Sequence, residues 1–285
     1  MLSTLLILLD ISVSSTQTFF RKPFTTRFGG KGVYLFNAFA AVAAIAFFIV
    51  SAGKLAWEPG ILPYAIGFGI SYAVSTVCSL LAISCGPISL SSLIMAASTL
   101  IPTFYGLLFL KEEVRLATFL PGLILLMLSL LVANKPQKGE KISGKWLFFA
   151  VLAAVGNGGC TIFQTAQQVA FKEQYGNEMM ILALLFVLVV SALLTLLPAE
   201  RKEIKSHLKH AWYGGLACGA LNGANNLLVM ILRPMVGAAV LFPVLTGGGL
   251  IAAYLISTLA YKEKLSALQT AGFVLGIGAV VLLKL

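Results

Sequence analysis

Asp10 is the only aspartate of the chain and lies inside an apolar run, LLILLDISVS, with Ser14 and Gln17 following at i+4 and i+7. In a helix these three fall on one stripe, so the first apolar segment carries an acid, a hydroxyl and an amide along one face. Burying a carboxylate at the centre of a bilayer costs about 3 kcal/mol on insertion scales, which requires Asp10 to face a protein interior and makes it a candidate proton-binding group. The competing readings are a structural carboxyl bonded to a neighbouring helix and one wetted near the membrane surface. Asn157, Thr161, Gln164 and Gln168 form a second stripe, neutral and equally polar. It suits a cavity wall or interhelical hydrogen bonds worth about 0.6 kcal/mol each. Asn222, Asn225 and Asn226, at i, i+3 and i+4, make a compact amide patch with donors and acceptors for a polar small solute. Gly215, Gly219 and Gly223 repeat beside it every four residues, so a close helix contact is the alternative there.

Other polar groups carry weaker signals. Tyr72, Thr76 and Ser79 share a helix face, as do Ser91, Met95, Ser98, Pro102 and Tyr105. Hydroxyls bond back to their own helix, so packing is expected of most, with cavity lining the sharper alternative for Tyr72, Tyr105 and Tyr254. The run Thr246 to Gly249, with Pro243 before it, is expected either to break its helix and expose backbone to a substrate or to form a packing seam. Glu112 and Glu263 stand at helix ends beside lysines and are expected to be solvated. The same is expected of His207 and His210, which lack nearby carboxylates for a metal site. The Gly29 to Gly32 run, GGKG, lacks the spacing of a phosphate-binding loop.

These residues need helices in a membrane to position them. Of 285 residues 59% are hydrophobic and 11% charged, against about 25% charged in a soluble domain. The net charge of +10 comes from basic residues in short gaps between apolar runs, which fits membrane orientation and not a nucleic-acid face. The four cysteines lie in or beside apolar segments without metal spacing, and no disulfide is expected. The first apolar run has no preceding Lys or Arg and carries Asp10, so a retained helix is expected and not a cleaved leader.

At roughly 20 apolar residues per crossing, spans are expected near 2–20, 33–52, 61–83, 87–110, 116–133, 146–171, 178–197, 211–232, 235–260 and 266–283. A shift of 147 residues places Asp10, Ser14, Gln17 and Thr18 on Asn157, Thr161, Gln164 and Thr165, Gly29 on Gly176, and Pro87 on Pro234. Later the shift becomes 151, with Lys111-Glu112 on Lys262-Glu263. The expected architecture is therefore an all-α integral membrane fold of ten helices. It divides into a five-helix repeat 1–133, a basic linker 134–145 and a second repeat 146–285. Five is odd, so the second copy enters the membrane inverted. Connections after the odd-numbered spans carry 14 basic residues and the opposite face 6. That bias places the linker in the cytoplasm and both termini outside.

Ten helices in two inverted halves, with Pro102 ten residues before Glu112 in IPTFYGLLFLKE, resemble the drug/metabolite transporter superfamily in its ten-helix EamA-type branch. The resemblance implies alternating access of a central cavity to metabolites or drugs, often as export coupled to protons or exchange. The small multidrug branch has a similar first-helix acid, there a glutamate. The family is usually drawn with both termini inside, opposite to the charge count. Pro121 replaces a usual glycine, and Ala253 stands where the second half would repeat the proline.

No Lys, His or Arg is expected deep in a span and Asp10 has no acidic mate, so an enzyme is not expected, nor a cofactor. The expected function is a secondary transporter in the cell membrane, moving a small molecule by alternating access, with protons as candidate coupling ion and lipid as the surrounding partner. A facilitator or flippase for lipid-like substrates is the alternative within transport. Outside transport, the alternative is a receptor or scaffold.

Overall fold

An apolar run in hydrocarbon has to satisfy its own N–H and C=O groups, and a helix does so. The computed structural model describes residues 2–28, 31–86, 88–133, 143–197, 200, 204–259 and 267–284, and the regular structure among them is helical throughout. The helices are α1 (Leu2–Phe28), α2 (Val33–Ala52), α3 (Leu62–Cys85), α4 (Ile88–Ala97), α5 (Leu100–Leu108), α6 (Leu116–Ala133), α7 (Gly144–Ala170), α8 (Gly176–Thr195), α9 (Ile204–Val236), α10 (Ala238–Leu259) and α11 (Ala267–Lys284). Among the described residues eight stretches are long and apolar enough to cross a membrane, one of them spanning α4 and α5, while α6 and α11 are shorter apolar helices. The chain is a multi-pass α-helical membrane protein. Residues 134–142 of the linker and Glu263 lie outside the described residues.

Two helices outrun their expected spans. α1 continues to Phe28 and α9 begins at Ile204. At about 1.5 Å per residue they reach well past a hydrocarbon core of about 30 Å. Hydropathy marks only the part of a helix that lipid covers.

The chain forms two compact units, Met1–Ile11, Val74–Ile162 and Leu232–Leu285 in one, Ser12–Ala73 and Phe163–Ile231 in the other. Each draws on both halves of the sequence.

In the first unit α6 runs along α11, α11 along α10, and α10 along α5. Small residues close these seams. A Cβ on Gly122 would lie 2.9 Å from Leu283 Cγ, and one on Gly247 2.6 Å from Val280 Cγ2. Helix α10 runs unbroken through Thr246–Gly249, and Gly247 and Gly248 pack closely against neighbouring side chains, so of the two readings the packing seam holds and not the break. The interruption falls in the fourth span. Pro102 has no N–H for the Ser98 carbonyl four residues back; Ile101 N takes that carbonyl at 3.1 Å, one residue early, and the chain turns between α4 and α5. Glu112 is not a free solvated charge. Its Oε1 accepts from Ala238 N (2.9 Å) and its Oε2 from Ala239 N (2.7 Å), capping α10. Gly237, at φ +84°, supplies the left-handed turn into that helix, and a Cβ there would lie 3.0 Å from Glu112 Oε2.

In the second unit α2 lies against α8, and the glycine row of α9 lies against α2. A Cβ on Gly215 would stand 2.7 Å from Phe39 Cβ, one on Gly223 2.7 Å from Phe47 Cδ1, and one on Gly219 would strike the Ala40 carbonyl. Gly219→Val should therefore push α9 off α2 and destabilise the protein by about 1–3 kcal/mol. Thermal unfolding in detergent checks this, with Gly249→Ala as control, because a Cβ on Gly249 meets nothing within 4 Å. A corrected expectation concerns His207, which is 1% exposed. Its ring stands edge-on to Phe28, centroids 4.9 Å apart, and Nδ1 lies 3.9 Å from Glu200 Oε2. Glu200 in turn accepts from Gly32 N at 2.8 Å, at the start of α2. The extra turns at the ends of α1 and α9 bring these groups together.

Candidate functional site

Within the second unit the ends and middles of five helices leave a cavity of about 90 Å³. Gln17 and Arg21 of α1, Asn37 of α2, Tyr72 of α3 and Asn222 of α9 give it polar groups, and Phe36, Leu184 and Val187 give it an apolar wall. Arg21 is exposed at the cavity, whereas Gln17, Asn37, Tyr72 and Asn222 are half-buried. Cys218 also lines it, its thiol donating to the Gln17 carbonyl at 3.4 Å. The side-chain amides of Gln17 and Asn37 have no hydrogen-bond partner among the described residues. A polar solute can therefore take bonds that the protein leaves unmade.

Asn222 connects the cavity to a chain of amides. Asn226 Nδ2 donates to Asn222 Oδ1 (3.1 Å) and to the Asn222 carbonyl (2.9 Å). Gln164 Nε2 donates to Asn226 Oδ1 at 3.4 Å and also approaches Met180 Sδ at 3.7 Å. Gln164 is buried and belongs to α7, so α7 supports α9 behind the cavity. Asn225 is half-buried and does not line the cavity, nor does Ser14. Gln168 has a structural role. Its Nε2 donates at 3.0 Å to the Met230 carbonyl, which Pro234 leaves without its helical donor.

The remaining candidates belong to the first unit. Asn157 Nδ2 donates to Ser98 Oγ at 2.7 Å, and Ser98 Oγ donates to the Met95 carbonyl at 2.6 Å, so Asn157 of α7 is tied to the turn between α4 and α5. Thr99 Oγ1 in that turn is buried without a hydrogen-bond partner among the described residues. Thr161 is half-buried. Asp10 is 2% exposed, which removes the reading of a surface-wetted acid and leaves the structural and the proton-binding ones. Ser91 accepts at 2.9 Å from the indole of Trp146, a buried packing role, and Tyr254 packs edge-on against Phe273.

Arg21, Asn37 and Cys218 were not among the expected site residues. Arg21 lies one turn beyond Gln17 on the same stripe, and a first span ending at residue 20 hid it. Asn37 had a readable signal, as the single amide in an otherwise apolar second span. Among the described residues no three His, Cys, Asp or Glu side chains gather as metal ligands would.

No family model matches this chain, and no curated protein matches it. Among solved structures, a crystal structure of a protein 14% identical covers 98% of this chain and 95% of its own, with a TM-score of 0.75. At that identity the likeness shows a shared fold.

Proposed function

We propose that this chain is a secondary transporter that moves a small polar solute by alternating access through ten membrane helices in two inverted halves. The observation that carries the proposal is the cavity of about 90 Å³ in which amides of three apolar helices meet with hydrogen-bonding capacity to spare. A lipid-facing or purely structural surface would not leave such groups unused. Symmetry supports the ten-helix count. The second helices of the two halves, α2 and α8, pack on each other, as do the fifth, α6 and α11. Equivalent elements beside a pseudo-two-fold axis do this. The resemblance to EamA-type transporters points the same way, and with it the proposal of a non-enzymatic, cofactor-free protein. Asp10, buried within α1, is proposed as the coupling group for protons. The charge bias proposes a cytoplasmic linker and external termini.

Counterflow in liposomes tests the transport reading. Purified protein should exchange labelled for unlabelled solute, and Gln17→Leu and Asn222→Leu should each slow exchange by about tenfold or more, the cost of leaving a solute's polar group unpaired. Exchange at wild-type rates in both variants would exclude this cavity from the pathway.

A further inference from the structure

We infer that the cavity of the second unit selects a small carboxylate, with Arg21 as its charge partner; this rests on the transport reading of the same cavity and names its substrate class. The cavity has one fixed charge, the guanidinium of Arg21, and no acidic side chain among its lining residues. An ammonium or a cationic drug would find no counter-charge there and a cation of its own sign at the mouth.

The amides reinforce that sign. Asn222 spends Oδ1 on Asn226, and Asn226 has its own Oδ1 engaged by Gln164, so the direction of the chain leaves Asn222 presenting its N–H donors. Gln17 and Asn37 can each turn an NH2 toward the solute. Donors around one guanidinium are the complement of an oxyanion, and planar two-oxygen acceptors match Arg best. Phe36, Leu184 and Val187 add apolar lining, so the preferred acid carries a hydrocarbon part.

The test uses the purified full chain in a neutral, lipid-free detergent, titrated by thermal shift and calorimetry with butyrate, butyramide and butylammonium. Butyrate should bind and stabilise, and the other two should bind about tenfold or more weakly. Arg21→Gln should weaken butyrate about tenfold to a hundredfold without changing butyramide, and Arg21→Lys should recover part of the loss. Equal binding of butyramide or butylammonium overturns the inference even if Arg21→Gln does not purify, because the wild-type comparison stands alone. Stabilisation by phosphatidylglycerol vesicles but not by butyrate also overturns it, since Arg21 would then serve a lipid headgroup. Arg21-dependent butyrate binding without exchange in liposomes would sink the transport reading and keep the carboxylate site. Exchange of another solute through Gln17 and Asn222 with no butyrate binding would do the reverse.

Discussion

Glu112→Ala should lower the unfolding free energy by about 2–3 kcal/mol, because one carboxylate supplies both caps of the α10 N-terminus and charge-assisted hydrogen bonds of this kind are worth about 1.5–3 kcal/mol. The geometry argues for a dedicated fit: the two oxygens take separate amides at 2.9 and 2.7 Å. A Cβ at Gly106 would lie only 2.7 Å from Glu112 Oε2, so the chain leaves that space to the carboxylate. Glu112→Gln keeps one acceptor and loses the charge, so it should recover about half of the loss. Glu113→Ala, at an exposed neighbour, should change little. Thermal unfolding of the three variants in one detergent measures this. Equal melting of Glu112→Ala and wild type would return Glu112 to the status of a surface charge.

That cap also shows what local sequence reasoning could reach. The apolar runs were legible because a membrane demands about 20 apolar residues per crossing, and no soluble surface competes for that pattern. Polar residues inside those runs were legible for the same reason, among them Gln17, Tyr72, Gln164, Asn222 and Asn226 of the cavity and its amide chain. The partner of Glu112 was not legible, since Ala238 lies 126 residues away. The glycine row of α9 announced a close contact by its spacing, but only the fold names α2 as the neighbour.

Two features of the helices lie beyond what hydropathy can set. The run from Leu90 to Leu108 is one apolar stretch, yet Pro102 withholds a donor from Ser98 and the helix turns there. Conversely, α1 and α9 keep their hydrogen bonds beyond the apolar stretch, so Arg21 and His207 sit on helices and not in loops. Helix α10 stays continuous through its glycines, and neighbouring side chains occupy the space left by Gly247 and Gly248.

Asp10→Asn should abolish proton-driven accumulation or extrusion while leaving solute binding measurable and insensitive to pH. The amide has nearly the shape of the protonated acid but cannot release a proton, so it should hold the carrier in the states that a proton would select. Asp10 is 2% exposed, and its counterpart after the 147-residue shift is the neutral Asn157, so one half of the protein already carries the substituted chemistry. Reconstituted vesicles with an imposed pH gradient separate the two roles that burial leaves open. A coupling acid predicts that counterflow persists at zero gradient while gradient-driven flux disappears. A structural carboxyl predicts lower melting by about 1–3 kcal/mol with the response to the gradient retained in whatever protein stays folded. Uphill transport by a stably folded Asp10→Asn variant would remove Asp10 from the coupling path, and the facilitator or exchanger reading would then replace proton coupling.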